Sequence, residues 1–445
     1  MNNLIDAGGT SYPSRFTANY ALAILLLAYI FSFIDRQVLS LLVEPMKADL
    51  GISDFEVSLL QGMAFALFYT LMGIPIARLA DTKRRTLIIS IGIALWSAMT
   101  CLCGLAKNYT SLFLARVGVG VGEAALSPAA YSMLADLFPA ARLPQAMAIY
   151  STGITLGGGL AYLIGGTVLD TIGNSWIASL PLLHELEAWQ LTFVVVGLPG
   201  FIIALLTLTI PEPVRQGAAK TAATNSGFRA TLAYLWQHRR AYSALFGGVS
   251  LLSVFGYGLM SWYPSLFIRI HDVSASEVGL KFGATYLVCG SLGALAGAWF
   301  AQRLAKRGYS DANLRWPAIA ALLMMIPGVI TPLAPAPFAV FALCIPLIFI
   351  QNSYFGVSLA AIQLITPNHM RAQAGAVLLF LTNLIGLGFG PSMVAALTDF
   401  VFADPASLPY SLSLVAVIFC PLAAAVFYSG VKSYRGLLVA HAETH

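Results

Sequence analysis

Residues 17–44 read TANYALAILLLAYIFSFIDRQVLSLLVE, and this stretch decides the fold. The run from Tyr20 to Val43 is long and apolar, interrupted by only two charges, Asp35 and Arg36. About 20 consecutive apolar residues cross the hydrocarbon core of a bilayer as a helix. A second run, residues 112–134, reads LFLARVGVGVGEAALSPAAYSML and carries Arg116 and Glu123 in the same way. A charge at the middle of a membrane helix costs roughly 2.5–3.5 kcal/mol on insertion scales. Such side chains therefore pair inside a bundle or line a wet path, and these four mark where the chemistry lies.

The rest of the chain extends the same pattern. Its 445 residues are 58% hydrophobic and only 10% charged, against about 25% charged in a soluble domain. A soluble globular protein is excluded, and the expected class is an all-α membrane protein. Apolar runs separated by Gly, Pro and charged punctuation give twelve spans, at 17–44, 55–80, 85–105, 109–136, 143–169, 188–210, 241–269, 276–302, 314–333, 336–365, 371–399 and 407–432. The first run is long enough to span and no small-residue cleavage site precedes it, so it is expected to be retained rather than removed.

Basic residues distribute unevenly across these spans. With the N-terminus inside, the outer side holds only Lys47, Lys107, Arg269 and Lys281, and nearly all other Lys and Arg residues lie inside. The positive-inside rule then places both termini in the cytoplasm. The net charge of +5 follows topology and is not a nucleic-acid footprint. Residues 1–16 form a polar leading segment, 17–210 a first six-helix bundle, 211–240 a linker, 241–432 a second bundle and 433–445 a tail. Pro-Glu-Pro at 211–213 stops the sixth span, and 170–187 is expected to hold a short interfacial helix.

The two bundles echo one another. FPAARLPQA at 138–146 is matched by TPNHMRAQA at 366–374, and the same alignment carried upstream sets Glu123 against Gln351. Repeated halves are a transporter signature. The five cysteines are scattered through apolar segments, which argues against a disulfide or metal framework. The six histidines fall in loops or tails without metal-ligand spacing. No phosphate-binding loop, nucleophile elbow or paired-carboxylate hydrolase pattern occurs, so an enzyme is not expected and no cofactor is implied beyond protons as coupling ion.

Over nearly its whole length the chain resembles the major facilitator superfamily. Gly73, Asp81, Lys83, Arg84 and Arg85 match part of that family's acidic–basic loop motif, with Ala77 and Arg84 standing where Gly is usual. The resemblance implies a gate built from Asp81, Arg84 and Arg85. Arg116-x-x-x-Gly120-x-Gly122-Glu123 is similar to the family's helix-four motif for proton coupling. Gly153, Gly157, Gly158 and Gly159 resemble the helix-five motif of antiporters without its Pro, and Gly386, Gly388, Gly390 and Pro391 place a Gly-Pro break in helix eleven.

A narrower resemblance is to the spinster branch, whose members include lysolipid and sphingoid-lipid transporters. Phe33-Ile34-Asp35-Arg36, Asp49 to Asp54, Arg78-Leu79-Ala80-Asp81 and the Arg116 to Glu123 pattern carry it, with Ser32-Phe33 replacing the usual Asn-Tyr.

Arg116 and Glu123 are seven residues apart, hence on one helix face with roughly 10 Å of rise between them. The depths expected from the spans pair Asp35 with Arg116 in an outer cluster that includes Arg36. Glu123 lies deeper, facing Arg36. Loss of water favours the neutral form of a carboxylate and a guanidinium favours its charged form. Asp35 and Glu123 are thus expected to carry protons, with Arg36 and Arg116 as fixed charge partners. A static ion-pair bridge between helices one and four is the competing reading.

The second bundle has no deep charge, but it offers Tyr257, Trp262, Tyr263, Tyr286, Gln351, Asn352, Tyr354 and Asn383. Together with Arg36 and Glu123 these are the expected substrate groups, with a charged head near Arg36 and an apolar tail along the second bundle. The function expected is proton-coupled secondary transport of a lipid-like amphiphile by alternating access. The expected host is a bacterial inner membrane, and the expected state is a monomer. The alternatives are a proton-coupled carrier of a small organic anion, a non-transporting receptor or scaffold, and a lipid scramblase.

Overall fold

A computed structural model describes residues 4–5, 11–139, 141–172, 185–215 and 227–442. Among the described residues, twelve helices are long and apolar enough to cross a membrane. In the first half these are α1 (Arg15–Leu41), α2 (Asp54–Thr82), α3 (Arg85–Cys103), α4 (Tyr109–Leu137), α5 (Leu143–Thr171) and α6 (Ala188–Leu208). The second half supplies α7 (Arg239–Ile270), α8 (Ala275–Lys306), α9 (Ala312–Ile330), α10 (Pro337–Leu364), α11 (Arg371–Phe402) and α12 (Pro405–Ala440). Each span expected from sequence has its helix. The last one runs on to Ala440 instead of stopping at residue 432, because Val431–Ala442 is also helical. The expected interfacial helix at 170–187 falls mostly outside the described residues. The expected linker is partly structured: it contains the helix Gly227–Gln237, and α7 begins at Arg239.

Local sequence explains where the helices begin. The Ser14 hydroxyl caps α1 by accepting from the Thr17 amide at 3.2 Å. At α2, Ser53 and Glu56 form a reciprocal capping box, with bonds of 3.2 and 2.9 Å. Just before it, the short helix Val43–Leu50 ends at Gly51, whose φ of 64° is a conformation glycine adopts without strain. Lys47 forms an ion pair with Asp54 across this turn, and the Trp189 indole donates to Asp49 at 3.0 Å. The α1–α2 connection is thereby fastened to α6.

The chain divides into two units. Residues 1–218 with 274–283 form one, and residues 219–273 with 284–445 form the other. In the first, α3 packs on α6 and α4, α1 on α5 and α6, and α2 on α4. In the second, α12 packs on α9 and α7, and α7 on α11. Helices in lipid gain little from burying apolar surface against each other, so close packing of small residues takes over. A side chain at Gly122 would come within 2.6 Å of the Trp96 amide nitrogen, and one at Gly120 within 2.7 Å of the Phe65 carbonyl. These two glycines let α4 touch both α3 and α2. In the second unit, a side chain at Gly390 would meet the Val254 carbonyl at 2.6 Å.

Several helices are interrupted near their middles. α4 consists of Tyr109–Glu123 and Leu126–Leu137, breaking directly after Glu123. α10 consists of Pro337–Asn352 and Phe355–Leu364, breaking directly after Gln351 and Asn352. The two breaks therefore fall at aligned positions of the repeated halves. The Gly-Pro break expected in α11 is not formed: Gly388–Ala396 is continuous α-helix, flanked by π-helical turns at Thr382–Leu387 and Leu397–Phe402. The wider π-turn absorbs an extra residue without ending the helix, and such turns often mark functional positions.

Gly122→Ala is expected to destabilise the detergent-purified protein by about 1–3 kcal/mol through overpacking. Gly73→Ala, where an added side chain meets nothing within 4 Å, is expected to melt like wild type. Equal melting temperatures for all three proteins would contradict this account of α4.

Candidate functional site

The four embedded charges come together in the first unit. Asp35, Arg116 and Glu123 are 2%, 0% and 1% exposed. The Arg36 guanidinium donates from Nε to Glu123 Oε2 at 2.6 Å, and Ser32, one turn earlier on α1, donates to the same oxygen at 3.0 Å. The rings of Phe33, Phe65 and Tyr69 lie 4.9, 4.6 and 4.9 Å from the Arg36 guanidinium carbon. An arginine cannot shed its charge in a protein, so a carboxylate and three π-faces supply what water would have given it. Tyr29 stacks on Tyr150 at 4.5 Å, with Tyr131 edge-on to Tyr150 at 5.5 Å, continuing the aromatic wall.

The pairing of Arg36 with Glu123 matches the sequence reading, but the depth assignment needs correction. Arg36 sits at the level of Glu123 and does not belong to a separate outer cluster with Asp35 and Arg116. The expected carboxylate pair of Asp35 and Arg116 is also absent. Arg116 instead donates to two main-chain carbonyls, those of Asp35 and Leu60, each at 3.4 Å. The Asp35 carboxylate accepts from the Thr100 hydroxyl at 3.3 Å. The reason is local: α1 changes to a 3₁₀ turn at Val38–Leu41 and α2 kinks at Gly62, exposing carbonyls that a guanidinium can reach. Three buried atoms of the cluster have no hydrogen-bond partner: Asp35 Oδ1, Glu123 Oε1 and Arg116 Nη2.

The residues expected to form a gate separate. Asp81 and Arg84 are exposed, whereas Arg85 is fully buried. Arg85 donates to Glu212 at 2.8 Å, to Ser132 at 2.9 Å, to the Pro213 carbonyl at 2.9 Å and to Asp136. It is an anchor tying α3, α4 and the segment after α6, and not a mobile gate charge. Arg215 then donates to the main-chain carbonyls of Ala80, Asp81 and Lys83, capping the end of α2. Sequence reasoning took Pro-Glu-Pro only as a helix stop. The available signal was a charged residue held between two prolines and followed by Arg215.

In the second unit, Trp262 is fully buried and its indole donates to the Pro391 carbonyl at 2.9 Å. Tyr263 is 1% exposed. These two are packing residues, a correction to their expected place among the substrate contacts. The other groups lie on α7, α8, α10 and α11. Gln351 Oε1 is buried without a hydrogen-bond partner, and its amide nitrogen is 2.5 Å from where a side chain at Gly256 would begin. Asn352 donates to the Ile348 carbonyl at 2.9 Å, and the Tyr286 hydroxyl donates to Met260 sulfur at 3.4 Å. Tyr354 is buried at the break, Tyr257 is half-buried, and Asn383 is half-buried in the first π-turn of α11. Among the described residues no group of His, Cys, Asp and Glu could hold a metal ion.

Comparisons with known proteins show the family. The profile of the Major Facilitator Superfamily matches residues 25–391. An MFS-type efflux pump of Mycolicibacterium smegmatis is 30% identical over 86% of this chain and 85% of that protein. Protein spinster homolog 1 of Xenopus tropicalis is 27% identical over 89% of this chain and 77% of that one. The crystal structure of a bacterial homologue of the human lysosomal transporter Spinster, inward-facing and unoccupied, superposes with a TM-score of 0.83. It is 30% identical and covers 96% of this chain and 99% of that one. The chain belongs to the Major Facilitator Superfamily. Within that family it is a transporter of the Spinster type, an integral multi-pass membrane protein and not an enzyme.

Removing Arg85 takes away the cation that Asp136 and Glu212 share, so Arg85→Met is expected to destabilise the fold by about 3–5 kcal/mol. Burial alone would push the Glu212 carboxyl up, but bonds from Arg85 and the Thr86 amide outweigh it and hold the group below its ordinary value. The stability it contributes is therefore complete above the ordinary carboxyl value and fades as pH falls through the lower, folded-state value. In thermal melts, Glu212→Gln is expected to lie below wild type at pH 7 and to approach it as pH falls below the ordinary carboxyl range. A pH-independent difference would contradict the assignment.

Proposed function

We propose that this chain is a proton-coupled secondary transporter that moves a lipid-like amphiphile, of lysophospholipid or sphingoid type, or another hydrophobic small molecule, by alternating access. The observation that carries the reading is the buried cluster of two arginines and two carboxylates on α1 and α4, in which each carboxylate keeps one oxygen without a partner. A scaffold has no use for charges so costly to insert. A carboxylate only half satisfied is suited to gain and lose a proton, whereas its arginine neighbours stay charged. Asp35 and Glu123 carry the proton, and Arg36 and Arg116 are their fixed partners.

Arg36, lying among aromatic rings, offers an anionic or zwitterionic headgroup its positive charge. Gln351, Asn352, Tyr354, Tyr257 and Asn383 offer hydrogen bonds on an otherwise apolar wall. Two relatives support the reading: one bears the name of an efflux pump, and the Spinster homologue has been seen inward-facing. The orientation proposed from the basic residues has both termini cytoplasmic, in a bacterial inner membrane. Asp81 and Arg84, both exposed, remain the proposed gate charges.

Uptake into proteoliposomes under an imposed pH gradient tests this reading. Wild type is expected to accumulate a lysolipid in response to the gradient, and Glu123→Gln and Asp35→Asn are expected to lose the response while still exchanging substrate across equal pH. Unchanged coupling in both variants would sink the proton assignment. Gradient-driven uptake of a small dicarboxylate in place of the lysolipid would favour the organic anion carrier, and gradient-independent lipid movement would favour a scramblase.

A further inference from the structure

The helix Gly227–Gln237 is joined to α7 through a single residue, His238. A helix tied that closely to a membrane span is confined to the level where the span leaves the bilayer. One of its faces is fixed to protein. Thr231 is fully buried and hydrogen bonds to the Gln373 side-chain oxygen at the start of α11. The Tyr234 hydroxyl donates to the Ile365 carbonyl just after α10 at 3.1 Å, and its ring lies 4.6 Å from His238. Leu235 is 7% exposed on the same side. The helix is thus a fixed part of the second unit.

The neighbouring face is apolar and open. Phe228, Leu232 and Trp236 are 52%, 44% and 72% exposed. Spaced four residues apart, they fall within an arc of about 80° at about 100° per residue. Beside this stripe Arg229, Arg239 and Arg240 are all exposed, and the Arg239 guanidinium lies 5.6 Å from the Trp236 ring. No Asp or Glu occurs between Glu212 and Asp272, so this stretch of sequence carries no countercharge of its own.

We propose that Gly227–Gln237 and the arginines that follow it are a binding site for the anionic phospholipid surface. Phe228, Leu232 and Trp236 enter the boundary between headgroups and acyl chains, and Arg229, Arg239 and Arg240 bind phosphate. An apolar stripe with a tryptophan, edged by arginines, is the pattern of a helix lying in the plane of the interface. Each arginine near an anionic leaflet favours association by about 1 kcal/mol, roughly fivefold. The lipid here is a fixed partner and not the cargo, so the inference stands whether or not the transported molecule is a lipid.

The test uses the full-length protein in liposomes and needs no transported substrate. The fluorescence share of Trp236 is the difference between wild type and Trp236→Phe. That share is expected to be quenched by lipids brominated near the headgroup end of the chain, and more strongly by brominated phosphatidylglycerol than by brominated phosphatidylcholine. In the Arg229→Gln, Arg239→Gln, Arg240→Gln triple variant the preference is expected to vanish while quenching by phosphatidylcholine persists. Each single substitution is expected to remove part of it. Absence of quenching by either lipid would overturn the proposal and leave the stripe to a protein partner or a second copy. Equal quenching by both lipids in wild type, or an undiminished preference in the triple variant, would overturn the assignment of anionic lipid.

Discussion

An arginine inside a membrane helix must be neutralised by its surroundings, because it cannot neutralise itself. Much of the first unit is arranged around that requirement at Arg36. Glu123 supplies the countercharge at 2.6 Å, and Ser32 shares the burden on the same oxygen. Three aromatic rings from α1 and α2 enclose the guanidinium. Glu123 reaches it because Gly120 and Gly122 let α4 lie against α2 and α3. The interruption of α4 directly after Glu123 then frees the helix to redirect. Asp35, one residue before Arg36, has no comparable partner: a single hydroxyl at 3.3 Å holds its carboxylate. The two acids are therefore unequal, one firmly paired and the other loosely held.

The second unit repeats the architecture without the charge. Its α10 breaks at the position aligned with the α4 break, and the residue aligned with Glu123 is Gln351. The amide keeps an unpartnered oxygen in a buried setting, as the carboxylate does. A neutral amide can accept a hydrogen bond but cannot hold a transferable proton at physiological pH. The duplicated scaffold thus offers two equivalent positions, of which one holds a titratable carboxylate and the other a neutral amide.

Much of this was legible in the sequence, and physics explains which part. Spans are legible because hydrocarbon thickness fixes a length and forbids most charges, so each of the twelve apolar runs has its helix among the described residues. Arg36 could be matched with Glu123 because an embedded charge must find its partner inside the bundle, although the depths read from the spans set the two apart. Arg85 was illegible in the same terms. In the string Lys83-Arg84-Arg85 it looks like loop charge, and its partners Asp136 and Glu212 lie 51 and 127 residues away. Thr100 was hidden for the opposite reason, since a hydroxyl in an apolar span can always satisfy itself on its own helix. The Arg116 error came from assuming that a cation seeks a carboxylate. Where helices kink, main-chain carbonyls become equally available acceptors.

The two buried charge clusters of the first unit differ in how fully their charges are paired. At Arg85 every guanidinium nitrogen has an acceptor, from two carboxylates, a hydroxyl and a carbonyl. Breaking any of these bonds leaves an uncompensated charge, so such a network resists change and fixes geometry. At Arg36 and Arg116 the bookkeeping does not close: one nitrogen and two carboxylate oxygens are buried without partners. Most buried polar groups in proteins find a partner, and a charged group left without one costs more than a neutral one. A proton taken up by Asp35 or Glu123, the role proposed for them, would turn one such acceptor into a donor. Burial and charge are shared by both clusters. What separates them is satisfaction, which the sequence cannot display and the coordinates do.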